Sequence, residues 1–339
     1  MQLNTSQVHA GPVDRITYQR RPLLLSRRAA DIRQKTRSLE CGSPRRSQRC
    51  GLGFDKVQSS RGSAPGKAYA AASEAAHHND FDKLKPLSVI RAKNGETVPL
   101  VSVFQNYGPQ HVCLLPFLTH FADLSSWEYA KKLKTIIPQI EAAGTQVVVV
   151  GLGSRQNALS FSKLLDFPLR LLYADPEGVC YKALGFSPGF APDAPVSAYL
   201  KLLPMLAGIA SPGTLQEVLR GYTGDRSSKP VWDGNVAFNI LGKGYQRPFE
   251  LATLRLNHMV NILPRWSALC PANTALLTQQ GGTLIFEDEH TAFRQNDTGI
   301  LKYTNIADLT TVLARQSKRQ ALGTLGENLM CTTGALQAK

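Results

Sequence analysis

No run of about 18 apolar residues occurs in the chain, so the length criterion for a membrane-spanning helix is met nowhere. The most apolar stretches, residues 146–152 and 200–210, are too short to cross a bilayer. Charged side chains are also sparse, at 19% against 43% apolar. That balance excludes a mainly disordered chain, which needs low hydrophobicity and dense charge. The 27 Gly and 20 Pro show no three-residue period, which excludes a collagen-like chain. None of the six cysteines forms a C-x-x-C pair, and their spacing gives no zinc signature. Walker A is missing, and Gly151-Leu152-Gly153 lacks the third glycine of a dinucleotide fingerprint because Gln156 stands there. A tight strand-to-helix turn needs glycine in any case. His77-His78 has no third ligand close by in sequence. No metal and no cofactor is therefore expected.

Acidic residues are scarce at one end. Residues 1–75 hold 14 Lys and Arg against 5 Asp and Glu, while the remainder holds 25 against 20. Much of the formal net charge of +14 thus belongs to an Arg- and Ser-rich segment rather than to a folded surface with interleaved aromatics, so no nucleic-acid partner is expected. Residues 1–80 have the composition of an organelle transit peptide, ending near Ala70-Ala71-Ala72-Ser73, with an ordinary basic tail as the alternative. Composition does not separate chloroplast from mitochondrion.

From residue 81 to 339 the texture is globular. Residues 112–118, 146–152 and 168–173 read as buried strands. Helices are expected over 126–142 (interrupted near Pro138), 157–165 and 177–184, the last stopped by Gly185. The alternation implies an α/β layer architecture with parallel strands. Residues 187–270 read as a helical insertion, with helices over 200–221 and 248–263 and irregular chain over 229–244. A hairpin of 283–287 with 291–295 and a helix over 306–315 close the sequence.

The most informative stretch is Leu114-Leu115-Pro116-Phe117-Leu118-Thr119-His120-Phe121-Ala122-Asp123-Leu124-Ser125-Ser126-Trp127-Glu128, a strand running through a loop into a helix N-terminus. Free N–H groups there favour an anion or a thiolate. Ser125 to Glu128 has the S-x-x-E form of a capping box, with Ser125 as N-cap; Asp123 is the alternative cap. Cys180, early in a short helix, is the best candidate for a reactive thiol, its alternative being a small packing residue. Cys113 lies inside a buried strand, where an inert core thiol is expected.

This stretch resembles the first strand and active-site loop of thioredoxin-fold, peroxiredoxin-like proteins of the AhpC/TSA antioxidant group, in particular the plastid forms of plants and algae. The likeness continues through Tyr173-Ala174-Asp175-Pro176-Glu177-Gly178, Ala183-Leu184-Gly185, Gly281-Gly282-Thr283-Leu284-Ile285-Phe286 and Asp297-Thr298-Gly299-Ile300-Leu301. It implies a thioredoxin-like fold with a helical insertion, a chloroplast location, and a thiol-dependent antioxidant or oxidoreductase acting on a small oxidised substrate. Redox-active members carry a cysteine pair after the His-Phe; here Asp123 and Ser126 occupy those places. Neither forms a sulfenic acid or a disulfide. Thr119 resembles the active-site threonine of peroxiredoxins. The alternative function is a catalytically inactive thioredoxin-fold binding or scaffold protein, with the insertion facing a protein partner.

Overall fold

A computed structural model of the chain describes residues 80–105, 111–232 and 236–316. The expected transit segment, His77-His78, Cys41, Cys50 and Cys331 lie outside the described residues. A short helix α1 (Asp80–Leu84) precedes a hairpin of β1 (Ser88–Arg91) and β2 (Thr97–Pro99), then α2 (Leu100–Gln105). The central unit follows as β3 (Val112–His120), α3 (Leu124–Ala142), β4 (Gln146–Val147), β5 (Val149–Leu152), α4 (Arg155–Leu165), β6 (Leu172–Asp175) and α5 (Val179–Ala183). A helical segment carries α6 (Ala198–Leu206), α7 (Thr214–Thr223), α8 (Val236–Asn239), α9 (Glu250–Ile262) and α10 (Trp266–Leu269). The chain then returns as β7 (Gly282–Glu287), β8 (His290–Asn296) and a helix over residues 306–316.

One sheet joins the strands in the order β2-β1-β6-β5-β3-β7-β8, with β4 also on β3. β3 runs parallel to β4 and β5, and β5 parallel to β6. β7 joins β3 antiparallel, and β1 joins β6 antiparallel. This is the α/β, thioredoxin-like architecture that the alternation and the resemblance imply.

β3 shows why the sheet is central. All nine of its residues are buried, because both faces are covered. Val112, Leu114 and Leu118 point into one core layer; Cys113, Leu115 and Phe117 point into the other. The first layer is closed by α3 and α4 through Leu133, Ile137, Ala158 and Phe161, the second by α1, α2 and α5 through Phe81, Phe104 and Tyr181. The end of β3 is thereby fixed by packing on two sides. The loop that follows it starts from a rigid platform.

Four local expectations change. Helix α3 is not interrupted at Pro138 but runs through it. Pro138 faces solvent, while Leu133, Ile137 and Ile140 are buried and hold both halves of the helix on the sheet. The expected strand over 146–152 is two short strands, both paired with β3. The expected strand over 168–173 begins as a single 3-10 turn, and extended chain starts only at Leu172. The expected helix over 200–221 is two helices, α6 and α7, separated by Gly208 and Gly213 at positive φ.

Candidate functional site at the end of the central strand

The Ser125–Glu128 capping box does not form. Asp123 takes the N-cap position of α3, with extended backbone angles and no side-chain cap hydrogen bond. Ser125 Oγ accepts instead from the Leu301 N–H at 3.1 Å, which ties the helix start to the chain after β8. Glu128 is buried and accepts from Arg255 Nε at 2.7 Å and from the Tyr303 hydroxyl at 3.0 Å. A tertiary ion pair has claimed the carboxylate that a capping box would have used.

Three of the four candidate site residues converge here. The Thr119 hydroxyl donates to Asp123 Oδ2 at 2.5 Å and lies 2.7 Å from Ser126 Oγ. A hydroxyl has one proton, and with that of Thr119 given to Asp123, Ser126 is the donor to Thr119. Thr119 and Ser126 are buried, and Asp123 is half-buried. The two side chains that the resemblance sets at the cysteine positions are therefore bridged through one threonine.

Two further titratable groups border this cluster. His120 is buried, its Nδ1 lacks a hydrogen-bond partner among the described residues, and its ring meets Trp266 edge-on at 5.9 Å. Burial pushes its pKa down, against a smaller upward pull from Asp123. Asp297 is buried with Oδ1 unpartnered among the described residues, and burial together with the Asp123 charge holds its pKa well above the usual carboxylate range. Sequence reading quoted Asp297 only within a resemblance, since Asp-Thr-Gly after a strand looks like any turn. Its placement follows from Gly281. A Cβ there would sit 2.0 Å from the Phe117 carbonyl oxygen and 3.2 Å from Asp297 Oδ2, so the approach to β7 runs tight against the end of β3. Close by, the Tyr129 hydroxyl lies 2.7 Å from Thr283 Oγ1 on β7.

Cys180 sits elsewhere, in the second core layer, fully buried. Its backbone N–H donates to Asp175 Oδ2 at 2.9 Å, and that of Val179 to Oδ1 at 3.1 Å, so Asp175-Pro176-Glu177-Gly178 is a turn whose carboxylate gathers the first N–H groups of α5. Burial and the neighbouring Asp175 charge both push the Cys180 thiol up, away from the thiolate. Cys113 is raised by burial in the same layer, and half-buried Cys270 is raised in the same direction.

Chemically, the loop offers a hydroxyl–carboxylate chain of Ser126, Thr119 and Asp123, but no sulfur. No group of three His, Cys, Asp or Glu among the described residues could hold a metal ion. No helix among them is long and apolar enough to cross a membrane. No curated protein matches the chain. Residues 132–299, which begin after this loop, match the family model described as AhpC/TSA antioxidant enzyme, and the match supports an AhpC/TSA-type, thioredoxin-fold family for this chain.

Proposed function

We propose that this peroxiredoxin-like chain uses the thioredoxin-like fold without loop thiol chemistry, as a binding or scaffold protein whose helical segment between α5 and β7 faces the partner. One observation carries the reading: Thr119, Asp123 and Ser126 satisfy one another by hydrogen bonds at the place where a peroxidatic thiol would have to stand. The raised pKa values of Cys113, Cys180 and Cys270 support it, because the thiolate is the nucleophile that peroxide oxidation requires. The basic, Ser-rich composition of residues 1–80 supports import into an organelle, and the resemblance to plastid forms makes a chloroplast the organelle of this reading.

The test is direct. The reduced full chain is treated with a small excess of hydrogen peroxide, and the oxidation of each cysteine is followed by peptide mass. Every thiol is expected to react no faster than free cysteine. One cysteine oxidising far faster, with the effect lost in its Ser variant (Cys180→Ser being the first to make), would overturn the proposal and restore a thiol-dependent oxidoreductase.

A further inference from the structure

The large apolar side chains exposed among the described residues are concentrated in the helical segment, and they are ordered. On α7 they are Leu215, Leu219 and Tyr222; at α9 and just after it, Leu256, Met259, Val260 and Leu263. Both sets follow the spacing of a single helix face, which in a globular helix is the face that packs inward. Here the faces are open: Leu256 is 60% exposed and Val260 61%. α7 and α9 present them together, since Tyr222, Phe249, Leu256 and Met259 line one groove of about 400 Å³ between the two helices. Phe249 adds a second anomaly. It is 57% exposed and holds φ +63° at the start of α9, a left-handed conformation that a bulky residue adopts at a cost. Folding alone would favour Asn or Gly there.

Charge indicates what covers this surface. Between residues 187 and 270 the exposed charged residues among those described are Arg226, Lys229, Lys243 and Arg265 against Asp193 alone. The other described acids are engaged: Glu217 with Arg220 and Lys302, Asp225 with Arg220, and Glu250 with Arg247. An apolar stripe with exposed tyrosine and phenylalanine, in a segment whose exposed charges among the described residues are four basic to one acidic, matches an anionic lipid surface. A second copy is disfavoured, because a two-fold interface would set the same basic segment against itself.

We propose that the α7–α9 face is a membrane-surface docking site that lies on anionic lipid headgroups, with Tyr222, Phe249, Leu256 and Met259 entering the boundary layer. This deepens the binding reading above and rests on it by naming the partner. The experiment is co-sedimentation of the full chain with phosphatidylcholine vesicles, with and without phosphatidylglycerol. Binding is expected only with phosphatidylglycerol and should weaken as salt is raised. Leu256→Glu with Met259→Glu should lower partitioning at least about tenfold, and Lys229→Gln or Lys243→Gln roughly fivefold each. Phe249→Asn should lower partitioning while leaving thermal stability equal or higher, which separates loss of docking from loss of fold.

Three outcomes overturn the proposal. They are no sedimentation with either vesicle, sedimentation unchanged in the Leu256/Met259 variant (which assigns it to the basic N-terminal residues), or a dimer in solution abolished by that variant. A fast peroxide-reactive thiol would overturn the earlier reading without moving vesicle partition, so the two failures are distinguishable.

Discussion

At Gly151 a side chain has no room: a Cβ would lie 2.5 Å from the ring of Phe121, which is fully buried and packed at a tilt on Phe161. The ring belongs to the loop after β3, so this glycine sets how closely β5 and the loop approach. Gly151→Ala should destabilise by about 1–3 kcal/mol, as overpacking in a dense core does. Phe121→Leu in the same chain should recover part of that loss, and urea unfolding of the two variants measures both. A Gly151→Ala variant as stable as the parent would refute the steric account. The sequence shows Gly151-Leu152-Gly153 after a strand and before a helix, a pattern that fits a phosphate turn as well as a packing turn. Only the contact with Phe121, thirty residues earlier, assigns the packing role to Gly151. The same holds for the loop itself. That Thr119, Asp123 and Ser126 meet is legible once the resemblance singles them out, because strand, loop and helix are contiguous there. Asp297 is not, because its approach depends on a strand pairing more than 150 residues away.

At the scale of elements, α3 shows how tertiary partners override local motifs. Its S-x-x-E start is a sound capping signal, yet Glu128 and Arg255 form a buried pair from α3 to α9, and Arg255 Nη1 also donates to the Glu217 carbonyl at 2.7 Å. Arg255→Met should therefore cost about 3–5 kcal/mol, since it leaves the Glu128 carboxylate buried without its cation. Replacing both, with Glu128→Leu added, should recover part of this, because two apolar side chains carry no unpaired charge. If the double variant is no more stable than Arg255→Met in urea unfolding, the pair is not the source of the loss. The central strands were readable as short continuous apolar runs; which side chains of β3 enter which core layer was not, because every position of such a run is apolar. The break between α6 and α7 was less readable, because Leu200 to Gly221 keeps helical spacing on both sides of Gly208 and Gly213, and glycine tolerates either conformation. The β1–β2 hairpin was missed outright, since three or four residues carry too short a period to register.

Over the whole molecule, two buried groups give stability opposite dependences on pH. His258 is buried against Trp127, with Lys131 Nζ 2.8 Å from its Nε2, and burial with the nearby Lys131 and Arg255 charges lowers its pKa to about 4. The unfolded chain takes up that proton first, near the ordinary histidine value of about 6.5. Stability contributed by the neutral ring is thus lost as pH falls from there towards 4. Asp297 behaves in the reverse sense. Its folded pKa is raised, so the unfolded chain releases the proton first, from about 3.9 upward, and stability declines with rising pH until Asp297 itself ionises. Between about pH 4 and 6.5 the two slopes oppose each other. His258→Gln should then make stability fall more steeply with rising pH over that interval, while Asp297→Asn should make it fall more steeply with falling pH. Asp297→Asn should also gain on the parent at neutral pH by more than it does near pH 3. Urea unfolding of parent, single and double variants from pH 3 to neutrality reads both slopes and that difference. Profiles that differ from the parent only by a constant offset would mean that neither group is held in the protonation state its burial dictates.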